Sequence, residues 1–145
     1  MEVYVKRFEE LSVEELYEII KVRIAIFSLE QNCLYQDLDE KDMNAYHVYI
    51  KENDKIKAYL RVLDKGISFD EISIGRVLTT ERGLGLGNKI LEEGIKVVKE
   101  KMGADKIKIE AQSYAKGYYE KFGFRQISDE FLEDGIPHIQ MIRKI

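Results

Sequence analysis

The chain has 145 residues, of which 45% are hydrophobic and 34% are charged, and it contains a single proline. This composition excludes an intrinsically disordered protein, and the length suits one domain over residues 1–145 with a core of its own. The formal charge of −4 argues against a nucleic-acid-binding protein, which normally presents a basic patch.

The N-terminus and the only cysteine both indicate in which cellular compartment the protein is expected. Residues 1–16 lack the profile of a signal peptide, and no uninterrupted apolar run reaches the length of a membrane span. Cys33 cannot form an internal disulfide and has no second cysteine for a metal cluster, so nothing indicates an oxidising compartment. We therefore predict a cytoplasmic protein that binds neither a membrane nor a metal ion.

The N-terminal part of the chain predicts a strand, a helix and a long loop. Residues 3–8 are β-prone, and Ser12 precedes Glu15 at the spacing of a capping box, so a helix is expected over residues 13–28. Residues 29–44 lack periodicity and predict a loop of a length that is often functional. Its acidic residues suit either the attraction of a cationic amine or a solvated loop; they are Asp37, Asp39, Glu40 and Asp42.

The middle of the chain predicts a hairpin, a further strand and a long helix. Residues 45–50 and 55–63 are the two strands of the hairpin, and residues 72–79 form the next strand. Residues 86–102 repeat apolar side chains at helical spacing. Gly94 falls near the apolar face, where the missing side chain would let the helix lie close to a sheet.

The C-terminal part predicts a strand, a short helix and two closing strands. Residues 106–112 are the strand, and the short helix that follows ends at Gly123. Residues 125–128 and 138–145 are expected to be strands around a loop at 129–137. Strands outnumber helices in this order, which predicts an α/β (α+β) fold with a mixed sheet flanked by helices.

Three glycines alternate between the predicted strand and the long helix, at Gly83, Gly85 and Gly87. A helix N-terminus leaves backbone N–H groups unpaired and carries partial positive charge, and glycines remove the side chains that would block an anion. The segment therefore predicts a phosphate site, with a simple tight turn as the alternative. The dinucleotide and P-loop patterns both fail here, since Asn88 and Ile90 stand where they require glycine.

The motif Arg82-x-x-Gly85-x-Gly87 resembles the acyl-CoA signature of the GCN5-related N-acetyltransferase (GNAT) superfamily. The later stretch QSYAKGYYEKFGF, residues 112–124, is similar to a second motif of that family, with Gln112 in place of the usual asparagine. Residues 27–42, GRV and EDGIPHIQM resemble the ElaA-like branch. The resemblance covers essentially the whole chain and implies a single-domain acyl-CoA N-acyltransferase fold.

The resemblance implies acetyl-CoA as co-substrate, held mainly by backbone groups. In the family, the strand before the glycines pairs with the pantetheine arm, and an N–H group near Val77 is the expected oxyanion donor. The loop amides hold the pyrophosphate. The matching positions are Val77, Leu78 and Thr79 in the strand, Arg82, Gly83, Leu84, Gly85, Leu86, Gly87 and Asn88 in the loop, and Gln112 and Lys121 in the second motif.

Four basic side chains lie in or beside the two motifs, and each is either part of a cationic rim for coenzyme A or a solvated charge. They are Arg82, Lys89, Lys116 and Lys121.

The reaction needs an acid for the leaving thiolate and a base for the amine. The resemblance gives Tyr119 the role of acid, while Tyr118 is expected to pack. A lysine-like amine is neutral in only about one part in 2500 at pH 7, a cost of roughly 4–5 kcal/mol, so a base is useful. His138 is the preferred catalytic base, and a water chain is another route; the further candidates are Glu30, Glu110 and His47.

The predicted function is direct transfer of an acetyl group to a primary amine of a small molecule or a peptide. A non-catalytic acyl-CoA-binding or sensing module is the alternative, and a protein whose glycine loop binds nothing is a third reading. Arg76 suits either a substrate carboxylate or a nearby acid. The sequence leaves open the acceptor, the use of larger acyl groups and the oligomeric state, with a homodimer among the options.

Overall fold

The computed structural model describes residues 1–30 and 35–145, except for the side chain of Glu30. Cys33 and the proposed role of Glu30 as a base therefore lie outside the described residues. Within them the chain forms β1 (Glu2–Arg7), α1 (Val13–Ile24), β2 (Ala45–Glu52), β3 (Lys55–Leu63), β4 (Ser73–Thr79), α2 (Leu86–Val97), β5 (Lys106–Gln112), α3 (Lys116–Glu120), β6 (Arg125–Gln126), β7 (Phe131–Glu133) and β8 (Ile136–Lys144).

The strands form two antiparallel groups. The first has the order β1-β2-β3-β4, and in the second β8 pairs with β5, β6 and β7. A parallel bridge between Ile72 and Ile107 joins the two groups, and the N–H of Lys108 donates to the carbonyl of Ile72 at 2.9 Å. The predicted mixed α/β fold is confirmed.

The helices cover opposite faces of the first group of strands. On one face, β2, β3 and α2 contribute Val48, Leu60 and Leu91 to the larger core, while Ile19 of α1 packs against Tyr49 on the other face. An ideal Cβ on Gly94 would lie 2.8 Å from Leu60 Cδ2. The prediction that Gly94 permits a close approach of helix and sheet is therefore confirmed.

Local sequence features determine where several helices and strands begin or end. Ser12 Oγ accepts from the N–H of Glu15 at 3.0 Å, and the Glu15 carboxylate accepts from the N–H of Ser12 at 2.8 Å, which completes the predicted capping box. Wider π-helical turns continue α1 through Ala25–Glu30, beyond the predicted end at residue 28. The turn of the β2–β3 hairpin is Asn53–Asp54, and both residues have positive φ angles, as a tight two-residue turn requires.

The prediction of a loop at residues 129–137 is wrong. Phe131–Glu133 pairs with the start of β8, which begins at Ile136 rather than at residue 138. The turn between the two strands is Asp134–Gly135, with φ angles of 51° and 75°. Asp-Gly is a strong signal for a two-residue hairpin, so the sequence contained the information that the prediction missed.

None of the described helices combines the length and the apolar character needed to cross a lipid bilayer.

Candidate active site

A cleft opens where β4 and β5 part. Among the described residues, the two strands bridge at Ile72 and Ile107 and then diverge. The cleft has a volume of about 380 Å³; residues 73–77 of β4 line one wall and residues 110–112 of β5 the other. Tyr119 and His138 also line it. The structure therefore brings together the two predicted catalytic residues and the predicted oxyanion strand.

A bulge distorts β4 at the cleft wall. Arg61 of β3 lies opposite Gly75, whereas Tyr59, two residues earlier, lies opposite Leu78, so β4 holds one extra residue. Arg76 within the bulge has a φ of 51°, a left-handed conformation that is uncommon for a residue other than glycine. Such bulges redirect a strand and are frequent beside active sites.

The glycine loop leads into an N-terminus of α2 that has no side-chain cap. Gly83 and Gly85 have φ angles of 80° and 70°, and an added Cβ would meet nothing within 4 Å at either position. Gly85 is the N-cap, and the first turn of α2 contains no acidic residue. The N–H groups of the first turn, from Leu86 to Asn88, thus have no intrahelical acceptor. This arrangement fits a pyrophosphate.

The third glycine has a different role, because it makes room for a tyrosine. The hydroxyl of Tyr118 donates to the carbonyl of Gly87 at 2.6 Å, and a Cβ on Gly87 would lie 3.4 Å from that hydroxyl. Burial, together with the charge of Glu92, raises the pKa of Tyr118 to about 12. Tyr118 thus ties α3 to the glycine loop as well as packing, a contact that sequence analysis missed.

The remaining predicted cofactor positions lie in β4, in the glycine loop and in the segment from Gln112 to Lys121. Val77 lines the cleft, the Leu78 side chain is buried on the α1 face, and Thr79 pairs with Ala58. In β4, therefore, backbone groups rather than the Leu78 side chain can meet a ligand. Gln112 lines the cleft at the end of β5. The exposed positions are Arg82, Leu84, Asn88, Lys89 and Lys121.

Tyr119 lies on the short helix α3 among other aromatic rings. Its ring makes edge contacts with Tyr118 and Phe124, at centroid distances of 5.1 and 5.8 Å. Burial raises the pKa of Tyr119 above its ordinary value, with smaller contributions from Tyr118 and Tyr114. The hydroxyl therefore stays protonated at neutral pH, as a hydrogen-bond or proton donor must.

His138 has a defined orientation near the start of β8. Its Nδ1 lies 2.7 Å from the carbonyl oxygen of Ile136, which can only accept, so Nδ1 carries the proton. In the neutral ring Nε2 is then the basic nitrogen, and it lies 3.9 Å from a carboxylate oxygen of Glu133. Phe131 stacks on the ring at a centroid distance of 6.1 Å.

The other base candidates fall in different places. His47 is fully buried away from the cleft lining, donates from Nε2 to the carbonyl of Asp42 at 2.9 Å and accepts from Tyr59 at 2.8 Å. Burial lowers the pKa of His47, so the ring is neutral and both nitrogens are engaged. Glu110 lines the cleft and lies 3.5 Å from the amide nitrogen of Gln140.

An ion network, three members of which line the cleft, was not predicted as such. Arg23 donates to Asp42 at 2.7 Å, and Arg61 donates to Asp42 at 2.9 Å. Arg76 donates to Asp37 at 3.1 Å, which favours the pairing of Arg76 with a nearby acid over binding of a substrate carboxylate. The network, defined as three arginines and three aspartates without net charge, consists of Arg23, Arg61, Arg76, Asp37, Asp39 and Asp42.

The ion network accounts for most of the acidic side chains whose role the sequence left open. Burial raises the pKa of Asp39, but the hydrogen bonds and charge of Arg61 outweigh burial and hold that pKa well below its ordinary range. Arg23 and Arg61 likewise lower the pKa of Asp42 against the effect of burial. Three of the four loop acids are thus neutralised within the protein. The signal in the sequence was an arginine inside each of two apolar runs, at Arg23 and Arg61.

The fold and the cleft define a class, and comparisons with known proteins identify it. The chain matches the family described as Acetyltransferase (GNAT) domain over residues 11–145. It is 34% identical over 140 residues to the protein ElaA of Escherichia coli (strain K12), covering 94% of this chain and 92% of that protein. The chain therefore belongs to the GNAT acetyltransferase family.

Solved structures agree with this assignment. The crystal structure of an acyl-CoA N-acyltransferase from Pseudomonas aeruginosa superimposes with a TM-score of 0.93 at 30% identity, covering 99% of both chains. The crystal structure of Escherichia coli ElaA gives a TM-score of 0.91 at 33% identity, covering 98% of both chains. The predicted ElaA-like resemblance is confirmed. The protein is an acyl-CoA-dependent N-acyltransferase, and transfer of an acetyl group from acetyl-CoA to an amine is the general reaction of its family.

Proposed function

We propose that the cleft between β4 and β5 transfers an acetyl group from acetyl-CoA directly to a primary amine of a small molecule or a peptide. The observation that carries the proposal is that Tyr119 and His138 line one cleft together with the strand β4. The same strand leads into the glycine loop and the uncapped N-terminus of α2.

The donor is held chiefly by main-chain groups. The unpaired N–H groups of the first turn of α2 bind the pyrophosphate, and Tyr118 holds the loop in place through Gly87. The edge of β4 that faces the cleft, including Val77, binds the pantetheine arm and supplies the oxyanion donor. Bound there, acetyl-CoA supplies an activated thioester carbonyl.

The chain's own side chains move the protons. An acceptor that enters as an ammonium ion gives one proton to Nε2 of His138, which frees the nitrogen lone pair to attack the carbonyl carbon. The C–N bond forms and the C–S bond breaks. Tyr119 protonates the departing sulfur, and the second proton leaving the nitrogen restores the tyrosine, so one net proton is released from His138 to solvent.

The alternative that the sequence left open was a non-catalytic acyl-CoA sensor. It would use the same loop and strand but would need neither Tyr119 nor His138. The position of both side chains at the cleft, and the fixed tautomer of His138, favour the enzyme.

The deciding experiment is a screen of acceptors. The purified protein is mixed with acetyl-CoA and, in separate reactions, 1,4-diaminobutane, spermidine, free amino acids, an aminoglycoside and peptides with a free N-terminus. We expect thiol release that matches the gain of an acetyl group on one acceptor by mass spectrometry. Saturable coenzyme A binding without transfer to any acceptor would support the sensor instead. No thermal shift with coenzyme A would contradict both readings, because a ligand at about 100 times its Kd stabilises by about 2.7 kcal/mol.

A further inference from the structure

The bulge in β4 lies at the position expected to supply the oxyanion donor. In the described pairing of β3 with β4, Arg76 and Val77 together stand opposite the single residue Leu60. Both Arg76 and Val77 line the cleft. A bulge takes its extra residue out of the ladder of hydrogen bonds and redirects the groups beside it. The direction of the Val77 N–H therefore depends on the shape of the bulge.

The backbone of Arg76 adopts an unfavourable conformation. Its φ of 51° lies in the left-handed region, which a residue with a Cβ atom disfavours. Such a conformation persists only where the surrounding structure holds it in place. The contacts of the Arg76 side chain supply that constraint.

The guanidinium of Arg76 is bound by the segment from Tyr35 to Asp39. Nε donates to the carboxylate of Asp37 at 3.1 Å, and a terminal nitrogen donates to the carbonyl of the same residue at 3.1 Å. That terminal nitrogen also lies 3.4 Å from the carboxylate of Asp39. The guanidinium carbon lies 5.2 Å from the centroid of the Tyr35 ring, within the range of a cation–π contact. The side chain is thus held by charge, by hydrogen bonds and by an aromatic face.

The acidic partners of Arg76 are themselves fixed within the ion network. The Asp37 side chain is only 4% exposed and lies 3.2 Å from Nε of Arg23 on α1. Asp39 pairs with Arg61 of β3, the strand that faces the bulge. The bulge is therefore tied to a buried residue of a helix and to the neighbouring strand, rather than to solvated side chains.

We propose that Arg76 is a positioning residue, whose ion pairs with Asp37 and Asp39 hold the bulge in the shape that aims the N–H of Val77 at the thioester carbonyl. The inference rests on the proposed function, in which a donor near Val77 stabilises the charge that develops on the carbonyl oxygen. Arg76 moves no proton itself and acts through the backbone of Val77. A misplacement of about 1 Å in such a site can lower the rate by about 10²-fold.

The carbonyl of bound acetyl-CoA gives a test that needs no acceptor. Acetyl-CoA labelled with ¹³C at the carbonyl is added to the full chain, and NMR compares the resonance of the free and the bound donor. A strong hydrogen bond to the carbonyl oxygen moves this resonance downfield. We expect a downfield shift in the unmodified protein and loss of most of it in Arg76→Asn, with unchanged affinity for coenzyme A in isothermal titration. Binding of acetyl-CoA to the unmodified protein without this shift would overturn the proposal.

Arg76→Asn separates the contacts of the guanidinium from the preference of the backbone. Asparagine accepts positive φ angles more readily than arginine, but it is too short to reach the same partners. If φ alone fixed the bulge, Arg76→Asn would keep the full shift, and the proposal would be wrong. Arg76→Lys restores a positive charge near Asp37 and Asp39 and should recover part of the shift. With any acceptor found by the screen, Arg76→Asn should lower kcat by about 10- to 10²-fold and leave KM nearly unchanged.

Arg7→Asn is the matched control. Arg7 donates to Asp64 at 3.0 and 2.8 Å, its side chain is 25% exposed against 21% for Arg76, and it is not part of the cleft lining. The control should leave the carbonyl shift unchanged, and an equal loss in both variants would reduce the effect to that of any lost ion pair and contradict the proposal. Absence of coenzyme A binding contradicts the proposed function, whereas binding with the same shift in every variant contradicts only this inference, so the two failures are distinguishable.

Discussion

Tyr118 and Tyr119 are neighbours in sequence with different tasks. The hydroxyl of Tyr118 is engaged with Gly87, so its contribution is to the glycine loop. Tyr119 lines the cleft, and burial raises its pKa further above neutral pH, so the hydroxyl holds its proton more tightly than an exposed tyrosine does. A buried tyrosine is a weak acid, so we expect its proton to move only as the sulfur departs, in one concerted step.

Replacing Tyr119 with phenylalanine tests this role. We expect Tyr119→Phe to lower kcat by about 10²-fold, the usual contribution of a general acid, and to leave the Kd for coenzyme A within about twofold. Thiol release and isothermal titration measure the two quantities. Tyr17→Phe, an exposed tyrosine on α1, is the control. Unchanged turnover in Tyr119→Phe would remove this tyrosine from the mechanism.

Arg23 is the most deeply buried member of the ion network. Its guanidinium pairs with Asp42 and Asp37, and it is fully buried. Arg23→Met should lower the free energy of unfolding by about 3 kcal/mol, because it leaves buried carboxylates short of a partner. Urea denaturation measures the loss. Lys21→Met, an exposed change on the same helix, should shift stability by less than about 0.5 kcal/mol.

The network also shows the limit of residue-by-residue prediction. The glycine motif and Tyr119 could be found because their spacing is local and resembles a known pattern. The partners of Arg23 and Arg61 lie 19 and 22 residues away, at Asp42 and Asp39, and nothing in the spacing specifies those pairs. Only the packing of α1 and the loop against β3 brings them together.

At the scale of elements, regular patterns were predicted well. The bounds of β5 were predicted correctly, and the course of α2 with its π-helical continuation ends at Met102 as expected, because apolar periodicity encodes both. The bulge at Arg76 and the short strand β7 were missed. A bulge follows from pairing between strands, and a three-residue strand carries too few residues for a periodic signal.

The N-terminus of α2 gives a prediction at this scale. Gly85→Asp places a carboxylate where it both caps the first N–H groups and repels phosphate, so affinity for coenzyme A should fall at least about tenfold. Gly103→Asp is matched to it, because Gly103 also has a positive φ and open space around it, at the other end of the helical segment. Both variants should lose similar stability, and only Gly85→Asp should lose affinity in isothermal titration. Equal affinities would contradict a phosphate site at this loop.

For the whole molecule, stability should decline steadily as pH falls. Asp39 and Asp42 have folded pKa values below their ordinary range, so their stabilisation is present above about pH 4 and is lost as pH falls through those lowered values. Burial lowers the pKa of His47 in the fold, so the unfolded chain binds a proton more readily below about pH 6.5, which acts in the same direction.

Glu15 allows a specific test of this decline. Burial opposes ionisation of Glu15, but hydrogen bonds from Lys6 and Tyr49 lower its pKa to about 2. Glu15→Gln should therefore reduce stability at pH 7 and flatten its loss between pH 5 and 2, measured by urea denaturation at each pH. Glu14→Gln, on the exposed side of the same helical turn, should leave the slope unchanged. Identical slopes in all three proteins would contradict this account.

The parting of β4 from β5 has a consequence for rigidity. Within the described residues, the backbones of these two strands are joined near Ile72 and Ile107, so the two halves of the molecule share little main-chain bonding. A pantetheine arm lying along β4 would act as a temporary strand and would link the two groups of strands through additional hydrogen bonds. Amide hydrogen exchange at Val77 and Thr79 should slow on addition of coenzyme A. The rigidity of the enzyme would then depend on how much of its acetyl donor is bound.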